Sequence, residues 1–103
     1  MKKRFVVCHS AGTTAQDQAF KDWLNSKSLG WWHWISGSWL VVDHFGILSA
    51  MDFRDALGQT HPGIRSLVVE LPPGDVSHKW AGFGPNTPQN SMANWLNETW
   101  STD

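Results

Sequence analysis

A chain of 103 residues is about one domain, long enough to bury a core and too short for two independent ones. Eight Lys and Arg against nine Asp and Glu leave a net charge of −1, so no overall field draws the chain to phosphate backbones or anionic membranes. No stretch approaches the roughly 20 apolar residues of a membrane span, and the single cysteine, Cys8, cannot close an intrachain disulfide, which fits a reducing, cytoplasmic setting.

The opening "MKKRFVVCHSAGTT" is basic like a signal peptide, but its apolar run extends only from Phe5 to Cys8 and is too short for one. "RFVVCH", Arg4 to His9, is β-branched and aromatic and predicts a first strand, central because both faces are apolar. The small residues "SAGTT" end it. Thr13 or Thr14 can then cap a helix, with Gln16 or Asp17 as the capping-box partner. Ala19, Phe20, Trp23 and Leu24 recur at helical spacing over about 14–27, and Gly30 closes the helix. The strand, the small turn and the helix start together mimic a phosphate-binding loop, yet the glycine spacing and lysine of a P-loop are missing. An ordinary capped turn is expected.

"WWHWI" and "WLVVDH" follow as two strands joined by Ser36-Gly37-Ser38. Alternation sets Trp31, His33 and Ile35 on one face and Trp32 and Trp34 on the other; in the return strand Trp39, Val41 and Asp43 oppose Leu40, Val42 and His44. Ser49 and Asp52 cap a second helix whose stripe is Ala50, Phe53, Ala56 and Leu57 and whose end is Gly58. His61-Pro62-Gly63 is a turn, and "IRSLVVEL" is a fourth strand stopped by Pro72-Pro73-Gly74. "DVSHKWAGFGPNTP" reads as a loop burying Trp80 and Phe83. Met92, Trp95, Leu96 and Trp100 fit one face of a short C-terminal helix or arm.

The order predicts an α+β fold over residues 1–103: a ferredoxin-like βαββαβ unit with a four-stranded antiparallel sheet, two helices on one face and a C-terminal extension, 75–103. A sheet that is apolar on both sides with helices on only one leaves a second side in need of cover.

Four of the eight tryptophans fall between Trp31 and Trp39 with no Lys or Arg among them. Bases stacked on indoles need neutralised phosphates beside them. Charge-free indoles fit a core or a protein interface instead. Trp31, Trp32, Trp34, Trp39, Trp95 and Trp100 are therefore the expected residues of a homodimer interface, with the C-terminal segment crossing to the partner; a Trp-lined pocket for a small ligand is the alternative.

"GWWHW…SWLVV", "SLVVEL" and "WAGFG" together resemble the small bacterial proteins labelled SinR-like. Through them the chain is similar to the small CRISPR-associated subunit of the spacer-acquisition complex and to the VapD toxin ribonucleases. The resemblance covers about residues 4–100. It implies a dimeric ferredoxin-like fold and a role as scaffold or nucleic-acid accessory in bacterial defence or a toxin–antitoxin pair. In the CRISPR-associated relatives the first strand ends in an aspartate that binds a divalent metal with its dimer mate. Here Ser10 stands at that place beside His9, and a serine cannot replace a carboxylate in an oxygen-ligand Mg²⁺ site. A VapD-type ribonuclease using His9 and Ser10 is the enzymatic alternative.

His9 and His33 lie on strands expected to be neighbours or near neighbours and His44 ends the third, a set suited to Zn²⁺ or to acid–base work. They lack a recognised ligand spacing, so neither a metal site nor a cofactor is expected. Glu70 and Asp43 each follow "LVV" and are read as strand-end carboxylates, solvated or paired with Lys3, Arg4 or Arg65. Lys2, Lys3 and Arg4 are the candidate nucleic-acid contacts, with Lys21, Lys27, Arg54, Arg65 and Lys79 scattered. The expected partner is a second copy, with nucleic acid or another protein as further candidates and no membrane.

Overall fold

The computed structural model describes residues 2–73 and 80–102. In chain order these form β1 (Lys3–His9), α1 (Thr14–Ser26), β2 (Gly30–Ile35), β3 (Ser38–Asp43), α2 (Ala50–Thr60), β4 (Ser66–Glu70), β5 (Asn86–Thr87), β6 (Asn90–Ser91) and α3 (Met92–Trp95), which runs on into a π-helical turn, Leu96–Trp100. The four long strands make an antiparallel sheet in the order β2-β3-β1-β4, and β5-β6 is a separate small hairpin. The fold is mixed α+β, with β1 in the middle as its two-sided apolar pattern requires. No helix among the described residues is long and apolar enough to cross a membrane.

Two apolar clusters lie on the two sides of the sheet. On the first, Phe5 and Val7 of β1 and Trp39 and Val41 of β3 pack against Phe20 and Leu24 of α1 and Phe53 and Leu57 of α2. Phe5 and Phe53 meet with ring centroids 4.5 Å apart. On the second, Trp32 and Val42 pack against Met92, Leu96 and Trp100. The C-terminal segment thus folds back over its own sheet, and the Trp32 indole N–H donates to the Met92 carbonyl at 3.0 Å. Alternation along each strand sorts these residues, since successive side chains point to opposite faces.

Both helices start as their sequences dictate. Thr13 and Gln16 form a complete capping box on α1, and Ser49 and Asp52 do so on α2, each satisfying backbone N–H groups that have no partner within the helix. The ends differ from expectation. Gly30 does not close α1 but opens β2. The left-handed residue is Ser28, at φ 56°, and its N–H bonds to the Asn25 carbonyl while that of Leu29 bonds to Leu24, a Schellman ending that seats Leu29 against buried Leu24. Nor does Gly58 end α2, which continues to Thr60 with His61 as its cap; an exposed glycine costs a helix about 1 kcal/mol, too little to outweigh the packing of Ala56 and Leu57.

The hairpin turn does use its glycine. Gly37 has φ 74°, and a Cβ there would lie 2.3 Å from the His9 carbonyl oxygen. Beyond β4, residues 74–79 of the expected loop, including Lys79, lie outside the described residues. Trp80 packs against the second cluster, but Phe83 is fully exposed instead of buried. The rest of that loop holds the β5-β6 hairpin, too short and polar to carry a strand signature in sequence.

Candidate functional site

A cluster of polar side chains lies at one end of the sheet, where β1, the first turn of α1, β2 and the C-cap of α2 converge. His9 ends β1; its N–H donates to the Gly37 carbonyl of the hairpin turn at 2.7 Å, which sets its side chain beside Trp39. The Trp39 indole N–H donates to His9 Nε2 at 2.9 Å. His33 of β2 stacks on the same indole, with centroids 3.6 Å apart and planes 5° from parallel. His61 caps α2, and its ring lies 4.5 Å from that of His9. Asp17, in the first turn of α1, faces all three imidazoles: its Oδ1 is 2.9 Å from His61 Nε2 and 4.0 Å from His9 Nε2, and its Oδ2 is 3.9 Å from His33 Nε2.

Tautomers follow from the outward contacts, because a carbonyl oxygen only accepts. His9 Nδ1 lies 2.6 Å from the Ser10 carbonyl and His33 Nδ1 lies 2.9 Å from that of Ser38, so both carry hydrogen on Nδ1. The Thr60 hydroxyl donates to the Ala56 carbonyl at 3.1 Å and lies in hydrogen-bond contact with His61 Nδ1 at 2.8 Å, while His61 Nε2 is hydrogen-bonded to Asp17 Oδ1 at 2.9 Å. The side chains of His9 and His61 are 0% exposed, that of His33 12% and that of Asp17 21%, so the centre opens to solvent on the Asp17–His33 side. Burial lowers the pKa of His33, outweighing the Ser38 hydrogen bond and Asp17, which raise it; Lys21 and His9 add to the lowering. Burial thus disfavours the charged form of this imidazole. Gly12 forms the wall over His61: a Cβ on it would come within 2.6 Å of the ring.

Of the three histidines singled out in the sequence, His9 and His33 meet here. His44 is exposed, at the open end of the hairpin beside Gly30. Asp17 and His61 take part unannounced. Asp17 reads as a helix-start carboxylate and His61, before Pro62-Gly63, as turn punctuation. The one signal for Asp17 is its place opposite the end of β1, after a turn of only four residues, 10–13. Ser10 is exposed, and its hydroxyl exchanges hydrogen bonds with the Arg65 backbone, accepting at 3.2 Å and donating at 3.4 Å.

The other candidates are divided between the two faces. Trp39 is wholly buried on the helix side and Trp31 packs near it, while Trp32, Trp95 and Trp100 belong to the cluster under the C-terminal segment. Trp34 is the exposed indole of the hairpin. The basic N-terminus grips the C-terminal segment: Arg4, itself buried, donates from Nε to the Trp100 carbonyl at 2.7 Å and from its terminal nitrogen to that of Thr102 at 2.8 Å. Lys2 donates to the Thr99 carbonyl at 2.6 Å and to that of Thr102, and Lys3 to that of Leu48 at 2.9 Å, with Glu70 3.9 Å away. Asp43 is not a solvated strand end; only 1% exposed, it accepts from the backbone N–H groups of Phe45, Gly46 and Leu48.

That cover ends partway across the sheet. Val6 pairs with Val69 and Cys8 with Leu67, so all four side chains share the second face, where Leu67 is 64% and Val69 44% exposed. Among the described residues β4 is also an edge strand, bonded only to β1. Compared with protein-family models, curated proteins and solved structures, the chain matches none.

Proposed function

We propose that the chain is a homodimeric scaffold on the ferredoxin-like plan, kin to the SinR-like proteins and through them to the small CRISPR-associated subunit and the VapD ribonucleases. The strand order β2-β3-β1-β4, with two helices packed on one side, supports that plan. The single observation that carries the dimer is the half-covered second face. Val6, Cys8, Leu67 and Val69 form a charge-free apolar strip beside an open strand edge, and such an edge needs a partner or a device that blocks pairing. A second copy is the occupant that fits: the strip is self-complementary in character, and closed twofold dimers are the commonest assembly of a single chain. A role beside nucleic acid in bacterial defence or a toxin–antitoxin pair belongs to the same proposal.

Light scattering on the eluting protein tests it. At micromolar concentration the expected mass is that of two chains, and Leu67→Asp, which buries a charge in the interface, reduces it to one while leaving the circular dichroism unchanged. A wild-type protein that elutes with the mass of one chain sinks the proposal.

A further inference from the structure

Three imidazoles on three elements turn the same nitrogen toward one carboxylate. His9, His33 and His61 each engage an outward oxygen through Nδ1, the Ser10 and Ser38 carbonyls and the Thr60 hydroxyl. Each leaves Nε2 facing Asp17, at 4.0, 3.9 and 2.9 Å respectively. A metal-binding histidine nearly always donates its other ring N–H to such an acceptor, because that bond fixes the tautomer and aims the lone pair at the ion. Here His9 and His33 show the arrangement, and His61 adds an Nδ1 contact to the Thr60 hydroxyl with its Nε2 on the same Asp.

We infer that Asp17, His9, His33 and His61 bind one divalent transition-metal ion, Zn²⁺, which ties β1, α1, β2 and the end of α2 together. Ligands of a tetrahedral ion at bonds of about 2.0–2.1 Å stand roughly 3.4 Å apart. The separations of 2.9, 3.9 and 4.0 Å bracket that value, and the donor atoms of His9, Asp17 and His61 all lie within 4.8 Å of one another. His33, 3.9 Å from the other carboxylate oxygen, stands outside that group of three and has to move inward to become the fourth ligand. Three imidazoles and one carboxylate suit zinc; Mg²⁺ and Ca²⁺ demand oxygen. One hydrogen bond must yield, since the Trp39 indole N–H that donates to His9 Nε2 loses its acceptor when His9 ligates. The competing occupant is a proton, shared between His61 and Asp17 in a purely structural network.

The full chain, stripped of metal, is titrated with Zn²⁺ against a chromophoric chelator and with Co²⁺ read by its visible absorption. One ion per chain is expected, with the intense bands of tetrahedral cobalt and a displaced Trp39 indole N–H resonance. Asp17→Asn and His33→Gln alter partly exposed side chains, so the fold survives. Each weakens Zn²⁺ binding at least about tenfold, whereas His44→Gln leaves it unchanged. The inference is overturned if the stripped protein takes up no Zn²⁺, if Asp17→Asn and His33→Gln bind as the wild type does, if Mg²⁺ raises the melting temperature as much as Zn²⁺, or if bound Zn²⁺ leaves the Trp39 resonance in place.

Discussion

Trp39 shows how much one side chain organises at the residue scale. Its ring edge meets Phe20 at 5.0 Å, its face carries His33 and its N–H holds His9, so an apolar anchor also fixes two imidazoles. A buried indole needs a partner for its N–H, and here that partner is a histidine, not a carbonyl. His33 then gives the metal-free protein a pH dependence with a definite sign. Its pKa is lowered below the ordinary 6.5 mainly by burial, with Asp17 opposing and Lys21 and His9 assisting. Well above 6.5 the ring is neutral folded or unfolded and contributes no slope. As pH falls below 6.5 the unfolded chain takes the proton first, binds more protons than the folded one, and stability drops until the folded ring also titrates. Urea unfolding in the presence of EDTA should therefore show a loss of stability below pH 6.5 that is smaller in His33→Gln; equal slopes in the two proteins would refute this.

The C-terminal segment shows what a short element needs in order to stay in place. Four residues of α-helix followed by a π-helical turn are far too few to hold as an isolated helix. Apolar contacts from Met92, Leu96 and Trp100 and charge-assisted bonds from Arg4 to the last carbonyls hold the segment down. The sequence marked Met92, Trp95, Leu96 and Trp100 as one face, which was readable from their spacing. It gave no hint that Arg4 bonds to a carbonyl 96 residues away, because nothing local in "KKRF" differs from a solvated basic end. Arg4→Met keeps the stem and removes the donors; with hydrogen bonds to charged groups contributing about 1.5–3 kcal/mol each, a loss of about 2–4 kcal/mol is expected in chemical denaturation. Faster cleavage by a protease near residue 96 should accompany it.

For the whole molecule, the two sides of the sheet have different fates. Among the described residues, helices seal one and the C-terminal segment seals part of the other, with Leu67 and Val69 exposed on an edge strand. If a second copy covers that strip, folding and association are linked, and the unfolding midpoint depends on protein concentration. Wild type should melt at a higher temperature when concentrated, and Leu67→Asp should melt at the same temperature throughout. A wild-type midpoint that ignores concentration would argue against the linkage.

Periodicity, caps and turn residues by themselves determined the elements: a helix from about Thr14, a hairpin about Gly37, a second helix capped by Ser49 and a strand within "IRSLVVEL", of which Ser66–Glu70 forms β4. These depend on contacts within a few residues, so local chemistry suffices. Helix ends were less legible, since Ser28 takes a left-handed shape that only the packing of Leu29 rewards. Only the tertiary structure decided the centre around Asp17. Its four polar side chains come from positions 9, 17, 33 and 61, separations that no motif encodes, and they meet because β1 lies between β3 and β4. His44 shares a strand-end setting with His9 in the sequence, yet sits at the open end of the hairpin, since register, not residue type, assigns each histidine its neighbours.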